Sequence, residues 1–537
     1  MLRLLHQFEE AKNFGSLIQP CLDERTTDFV RHAIEAKDLG GQLFLRETHL
    51  RVLRVLEQAE ALTQRYHVVV ANPPYMGWGN INGPLRGFLE SNFQGYEADL
   101  FSTFIVRCLG LAMNNGRLGF MSPFVWMFIA SYEKLRSLLI STTSISSLVQ
   151  LEYSGFEGAT VPICTFTLRK GKTPGQKGTF LSLSSFKGPA LQDPKAREGI
   201  QSEKCSYRFQ VCTDTFALVP SCPIAFTISD RVRSCFAEFP AVATIAEPRK
   251  GMVTADNPRF IRFWFEVSND KTGFGFTSRE SAKESLKKWF PYQKGGDFRK
   301  WAGNTIAVVN WENDGHELLH MKGAGYKVGS TNHNFDYIFK PAIVWTKITS
   351  AAQSFRVSNA GFLFDDASGL CALHNSEKIW RLLGFLNSSL SELMLKAINP
   401  TLNLNPGNLR VLPFADTDID SVVVKQAVTV SRTDWNNFET SWDFRDQPLL
   451  RPGLKGATLE ASWRNWEAQS TAAIRRMQEL ETENNRLFIA AYGLDGELQP
   501  EVPEAQITLA RAEARRDMAA FLSYAVGCMM GRYSPDH

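Results

Sequence analysis

The stretch HVVVANPPYMGWGN, His67 to Asn80, sets three β-branched residues directly before Asn-Pro-Pro-Tyr. Val68, Val69 and Val70 suit a strand. The two prolines end it, since each fixes φ and removes a backbone donor, and the residue before each is held extended. A polar side chain straight after a parallel strand sits at the carboxyl edge of the sheet, where open α/β folds place their ligands. Asn72 and the carbonyl of Pro73 then supply two acceptors directed at one spot, with Tyr75 nearby. Two acceptors and a flat ring suit a flat substrate carrying an NH2 group, namely a nucleobase amino nitrogen. As that nitrogen attacks a methyl sulfonium it gains positive charge, and preplaced acceptors stabilise it. The target atom is hidden in a duplex, so the base must be flipped out, with Tyr75 stacking on its face for about 1–3 kcal/mol.

Working outward, residues 61–220 show short apolar runs separated by helical segments, the pattern of a parallel sheet buried on both faces. The expected strands are His67–Ala71, Arg117–Met121, Ile145–Leu151 and Ile163–Arg169. Helices are expected over Asp99–Met113 and in SYEKLRSLLI, with Ser131 as N-cap. Alternation of this kind predicts a doubly wound α/β layer. Residues 1–60 read as connecting helices broken by GSLIQP. Residues 221–415, rich in Phe, Trp, Asn and Gly, read as a mixed α/β or mostly β domain, and 416–537 as a helical C-terminal region.

The chain has 537 residues, 44% of them hydrophobic, enough for two to four domains. A net charge of +3 permits nucleic acid as a partner without demanding it. Nine cysteines, odd in number and irregularly spaced, read as free thiols in a reducing cytoplasm; the group from Cys205 to Cys235 lacks a zinc pattern, so no metal is expected. No run of about 18 apolar residues is present, and acids follow too soon after MLRLLHQF for a signal peptide. RKGKT, Arg169 to Thr173, imitates a phosphate-binding loop but has Phe166 where the pattern needs glycine.

NPPY after a hydrophobic strand resembles the N6-adenine DNA methyltransferases. RLGFMSPFVWMF and YSGFEGATVPICTFTLRK look like that family's next strands, with Phe156 the candidate for stacking on the other side of the flipped base. A narrower group matches from GSLIQP through VVVANPPYMG, PYQKGGDFRKWAGN, VVNWENDG, LLGFLNSSL and NPTLNLNPGNLRVLPF to SYAVGCMMGRYS: the adenine-specific methyltransferases of BREX (bacteriophage exclusion) systems. The resemblance implies a partial Rossmann-like class I methyltransferase sheet followed by a target-recognition domain. It also implies S-adenosylmethionine as methyl donor, double-stranded DNA as substrate and other phage-defence proteins as partners.

The family's glycine-rich cofactor turn, which normally precedes NPPY, is not found. LGGQ at Leu39–Gln42 lies in a helical, charged setting. Pro74, beneath the adenine of the cofactor, and Asp99, which is equally an N-cap candidate, are the cofactor-facing positions left. Val68, Val69 and Val70 should therefore form an exposed edge awaiting strands from another polypeptide, and the chain reads as an interior piece of a longer or split enzyme. For DNA recognition, Lys287, Lys288, Lys294, Arg299, Lys300 and Trp301 interleave cations with aromatics in a manner suited to phosphate and stacking contacts. Three readings remain open: a DNA adenine methyltransferase completed by its cofactor half, a non-catalytic DNA-binding or assembly component, and a pseudogene product without function.

Overall fold

The structure, a computed structural model, describes residues 1–37, 43–153, 155, 161–321, 330–332, 334–349, 352–416 and 421–533. It divides into two units, Met1–Ser234 and Cys235–His537. Residues 1–60 and 61–220 thus share the first unit, and the division falls after Ser234 rather than at 220.

In the first unit β1 (Tyr66–Ala71), β2 (Ala112–Pro123), β3 (Thr143–Gln150), β4 (Ile163–Lys170), β5 (Lys177–Ser182) and β6 (Arg208–Cys212) form one sheet. Its order is β1-β2-β4-β3-β5-β6. β1 runs parallel to β2, with Val70 opposite Gly119. β4 is antiparallel to both β2 and β3, which corrects the all-parallel expectation. The reason is connectivity: a parallel return needs a crossover, and among the described residues no helix lies between Gln150 and Ile163. The four expected strands are all present, and the sheet is the second half of a class I methyltransferase arrangement.

The helix Leu100–Leu111 is capped by Asp99, whose carboxylate accepts from the Phe101 N–H, and it buries Phe101 and Ile105 against the sheet. Glu133–Thr142 adds Leu135 and Leu139, and these meet Leu118, Phe120, Phe166 and Leu168 in one core. Ser131 is not its cap: the helix follows a 3-10 turn at Ala130–Tyr132, its N-cap position is Tyr132, and no side chain caps it. Lys170, from the rejected phosphate-loop lookalike, donates to the carbonyls of Leu109 and Ala112, at 2.9 and 2.8 Å, and so satisfies the end of the Leu100 helix. GSLIQP is pinned by Arg107, whose guanidinium donates to the carbonyls of Ser16, Ile18 and Leu62.

The other face of the sheet is open at β1, β2 and β4, against the expectation of burial on both sides, whereas at β5 Leu181 is buried beside Gly199 of the helix Pro189–Gln201. Val70, Gly119, Thr167 and Ser147 lie in register across it. Ser147 and Thr167 share a 2.7 Å hydroxyl hydrogen bond, while Val68 and Val70 are 61% and 77% exposed. β1 is also the outermost strand, and its far edge is unpaired among the described residues.

The second unit contains two four-stranded sheets. One, ordered β13-β9-β10-β8, comprises β8 (Ile261–Phe263), β9 (Trp289–Gln293), β10 (Ala307–Asn310) and β13 (Leu363–Phe364). The other, β12-β11-β14-β7, comprises β7 (Ala246–Arg249), β11 (Ala342–Trp345), β12 (Phe355–Ser358) and β14 (Leu370–Leu373). IWRLLGFLNSSLSELMLKAI, from Ile379, forms two helices, Ile379–Leu386 and Ser389–Ile398. Asn387 breaks it by bonding both the N–H and the C=O of Phe355, and Ser388 caps the second helix through the Ser391 N–H. Val422–Trp435, Leu459–Ala491 and Ala514–Met529 complete the unit. No helix among the described residues is long and apolar enough to cross a membrane.

This architecture separates two kinds of position on one sheet. Phe166→Ala, in the core at 1% exposure, should lower stability by about 3–5 kcal/mol. Val70→Lys, on the open face, should change it by no more than about 0.5 kcal/mol. Urea denaturation of the two variants measures both.

Candidate functional site

Asn72 emerges from the carboxyl end of β1 and is exposed; Pro73 is buried, Pro74 is exposed, and Tyr75 is 37% exposed. The sequence thus brings Asn72 to Tyr75 to the sheet rim as expected. Tyr75 Oη lies 3.2 Å from Asn72 Oδ1 and 3.3 Å from the Met121 carbonyl oxygen. A phenol has one proton to donate, so these two acceptors compete for it. The Tyr75 ring meets Phe101 edge to face at 6.4 Å, and Phe101 in turn meets Tyr132 at 5.4 Å.

The loop leaves this rim under the control of Asp99. Its Oδ1 accepts from the Met76 N–H at 3.0 Å and from the Phe101 N–H at 3.2 Å. The Leu100 N–H donates to the Met76 carbonyl, and the Trp78 N–H to that of Ala98. The loop and the helix start are thereby stitched together. Burial raises the Asp99 carboxyl above the ordinary carboxylate range, against the opposing pull of the backbone N–H groups of Met76, Phe101 and Leu100. Burial, aided by the nearby Asp99 charge, pushes the Tyr132 phenol up to about 12.

The residues named for the cofactor do not by themselves make a site for S-adenosylmethionine. Pro74 offers an exposed ring, and one oxygen of Asp99, Oδ1, already accepts two backbone N–H groups. Phe156 and the LGGQ stretch lie outside the described residues.

The basic set chosen for DNA recognition comes apart. Arg299, Lys300 and Trp301 are buried, at 8%, 8% and 0% exposure, which corrects their reading as surface contacts for phosphate. Arg299 pairs with Asp434 at 2.9 Å and also donates to the Ser431 and Ala302 carbonyls. Lys300 pairs with Glu481 at 2.9 Å, whose other oxygen accepts from Trp301 Nε1 at 2.8 Å. Behind them Arg356, wholly buried, donates to the carbonyl of Arg299. Asp434, Glu481 and Arg356 are the residues that sequence reading missed. Lys287, Lys288 and Lys294 are half-buried: Lys287 donates to the Asp270 carbonyl, Lys288 faces Glu312 at 3.3 Å, and Lys294 faces Asp365 at 3.4 Å. In NPTLNLNPGNLRVLPF the asparagines hold turns: Asn399 donates to the Asn403 carbonyl, and Asn405 with Asn408 forms a capping box.

β1 thus ends in an exposed Asn-Pro-Pro-Tyr rim at the edge of a six-stranded sheet. Residues 16–156 match the family model of the Eco57I restriction-modification methylases. Over 99% of its length the chain is 32% identical to the adenine-specific methyltransferase PglX of Lacticaseibacillus casei, of which it covers 45%. It is 29% identical over its full length to the adenine-specific methyltransferase BrxX of Escherichia coli O9:H4, of which it covers 44%. The chain is a homologue of these PglX-like adenine methyltransferases, and the BREX-type resemblance read from its motifs is borne out. It spans a little under half the length of those relatives. Among solved structures it is similar to the Type IIL restriction-modification enzyme MmeI in complex with DNA, at 11% identity and TM-score 0.46, covering 87% of this chain and 58% of that one.

Three outcomes follow from these contacts. Asp99→Asn keeps an acceptor for both N–H groups, whereas Asp99→Ala leaves them unpaired and should cost about 1–2 kcal/mol. The raised carboxyl also means that the folded chain holds this proton more tightly than the unfolded one. The charge therefore costs stability as pH rises from the unfolded value through the folded one, a dependence that Asp99→Asn should remove in thermal melts across that range. Lys300→Ala should destabilise by about 3–5 kcal/mol, because it strands Glu481 as a buried charge; denaturant titration would reveal it.

Proposed function

We propose that this chain is the base-handling and DNA-recognition part of a site-specific DNA adenine N6-methyltransferase of a phage-defence system, working with a cofactor-binding half that docks on β1. The supporting observation is the exposed Asn72 acceptor at the end of β1, in a loop tied down by Asp99, within a chain similar along its whole length to adenine-specific methyltransferases.

In this reading Asn72 Oδ1 and the Pro73 carbonyl accept from the exocyclic amine of a flipped adenine, and Tyr75 stacks on its ring. A carbonyl oxygen has two lone pairs, so Asn72 accepts from adenine while keeping the Tyr75 hydroxyl, which then orients the amide. S-adenosylmethionine supplies the methyl group and is bound by the other half. That half adds a strand to the open edge of β1, with its helices covering Val68 and Val70.

A second reading has its own support. The tie of Asp99 Oδ1 to two backbone N–H groups suits a non-catalytic DNA-binding or assembly component of the same defence system.

Calorimetry with S-adenosylmethionine separates the isolated chain from the assembled enzyme: the chain alone should bind at millimolar strength or not at all. In the assembled enzyme, Asn72→Ala should abolish adenine methylation, a loss of at least about 100-fold, while duplex affinity stays unchanged. Methylation that survives the substitution removes Asn72 from the reaction.

A further inference from the structure

In the second unit a cleft of about 690 Å³ opens between β8, the start of β10 and the Lys294–Asp297 loop. Ile261, Phe263, Ile306 and Trp435 give it apolar walls. Arg262, Lys294, Asn257, Asn304, Glu266 and Asp297 bring both donors and acceptors to it.

Three features make this a built cavity. The loop turns through Gly295 and Gly296 at φ +83° and +110°, and Asn304 donates to the Asp297 carbonyl at 2.9 Å, fixing its far side. Behind it stand the buried pairs Arg299–Asp434 and Lys300–Glu481, with Arg356 donating to the carbonyls of Arg299 and of Gly295 in the loop. Buried charges braced in this way hold a surface loop in one geometry, as a binding site requires. At the rim, Phe263 and Phe265 remain 47% and 54% exposed, stacked on one another at 5.4 Å and 24°. Trp264 between them is tethered to the Thr440 carbonyl through Nε1.

We propose that this cleft receives an unstacked nucleobase of bound DNA, distinct from the base handled at Asn72. The inference rests on the DNA-modifying reading above. An exposed aromatic pair at a concave mouth offers a stacking platform, and mixed donors and acceptors inside suit the hydrogen-bonding edge of a base, whereas a phosphate site would be lined by cations alone. The volume falls within the range of small-ligand sites, roughly 300–1,000 Å³. A paired base in a duplex groove is shielded from such a concavity, so the base must leave the stack, at a cost of a few kcal/mol.

The test uses the full chain and two fluorescent probes, a short duplex with a single bulged 2-aminopurine and the same duplex fully paired. The wild type should prefer the bulged probe and quench it. Phe263→Ala should reduce that preference by about fivefold or more, the lower end of base–aromatic stacking, and Lys294→Gln should reduce it too. If Tyr75→Ala abolishes the preference and Phe263→Ala does not, the base is held at the β1 rim alone; the proposed function stands and this inference falls. Equal binding of the two probes also overturns the inference. No binding of either probe overturns both.

Discussion

Asp99 accepts hydrogen bonds from Met76 and Phe101 with the same oxygen, so the chain leaving Tyr75 and the first turn of the Leu100 helix share one acceptor. That helix packs Phe101 and Ile105 into the core of the sheet. The rim loop is therefore fixed to the packed interior by this carboxylate together with the Leu100–Met76 and Trp78–Ala98 backbone bonds. Pro73 and Pro74 stiffen the loop from within, and Asp99 closes it from without. The exposed amide of Asn72 then projects from a rigid base, which is the condition for electrostatic stabilisation of a developing charge.

The second unit uses charge in the opposite way. The basic pair Arg299 and Lys300 beside Trp301 turns inward and is neutralised by Asp434 and Glu481 from the Val422 and Leu459 helices. Replacing such pairs with apolar residues is often no loss in stability. Their effect here is geometric, holding the Lys294–Asp297 loop against the sheet.

Much of the first unit was legible in the sequence, because Val68–Val70, Leu118–Met121 and Ile163–Leu168 are apolar runs bounded by turn or polar residues, and NPPY marks where the first of them ends. Strand direction was not legible: the β4 run has the composition of a parallel strand, yet its pairing is antiparallel. The open face was half legible, since the valines implied an edge without telling which side of the sheet stays bare. The burial of Arg299 and Lys300 could not be read locally, because their partners lie 135 and 181 residues further along. A buried cation and an exposed one look alike until the acid that meets it is known. Asp99 was ambiguous for a related reason, as a carboxylate before a helix serves equally as a cap or as a ligand.

The central claim is that β1 carries a finished base-handling rim and an edge waiting for a cofactor-binding half. It is tested most directly by mixing this chain with separately expressed segments of Lacticaseibacillus casei PglX from outside the matched region, and assaying N6-methyladenine by mass spectrometry with DNA and S-adenosylmethionine. The account predicts methylation with this chain and the segments together and none with either alone. Methylation by this chain alone, or a stable complex of the two that binds S-adenosylmethionine and DNA yet forms no N6-methyladenine, would contradict it.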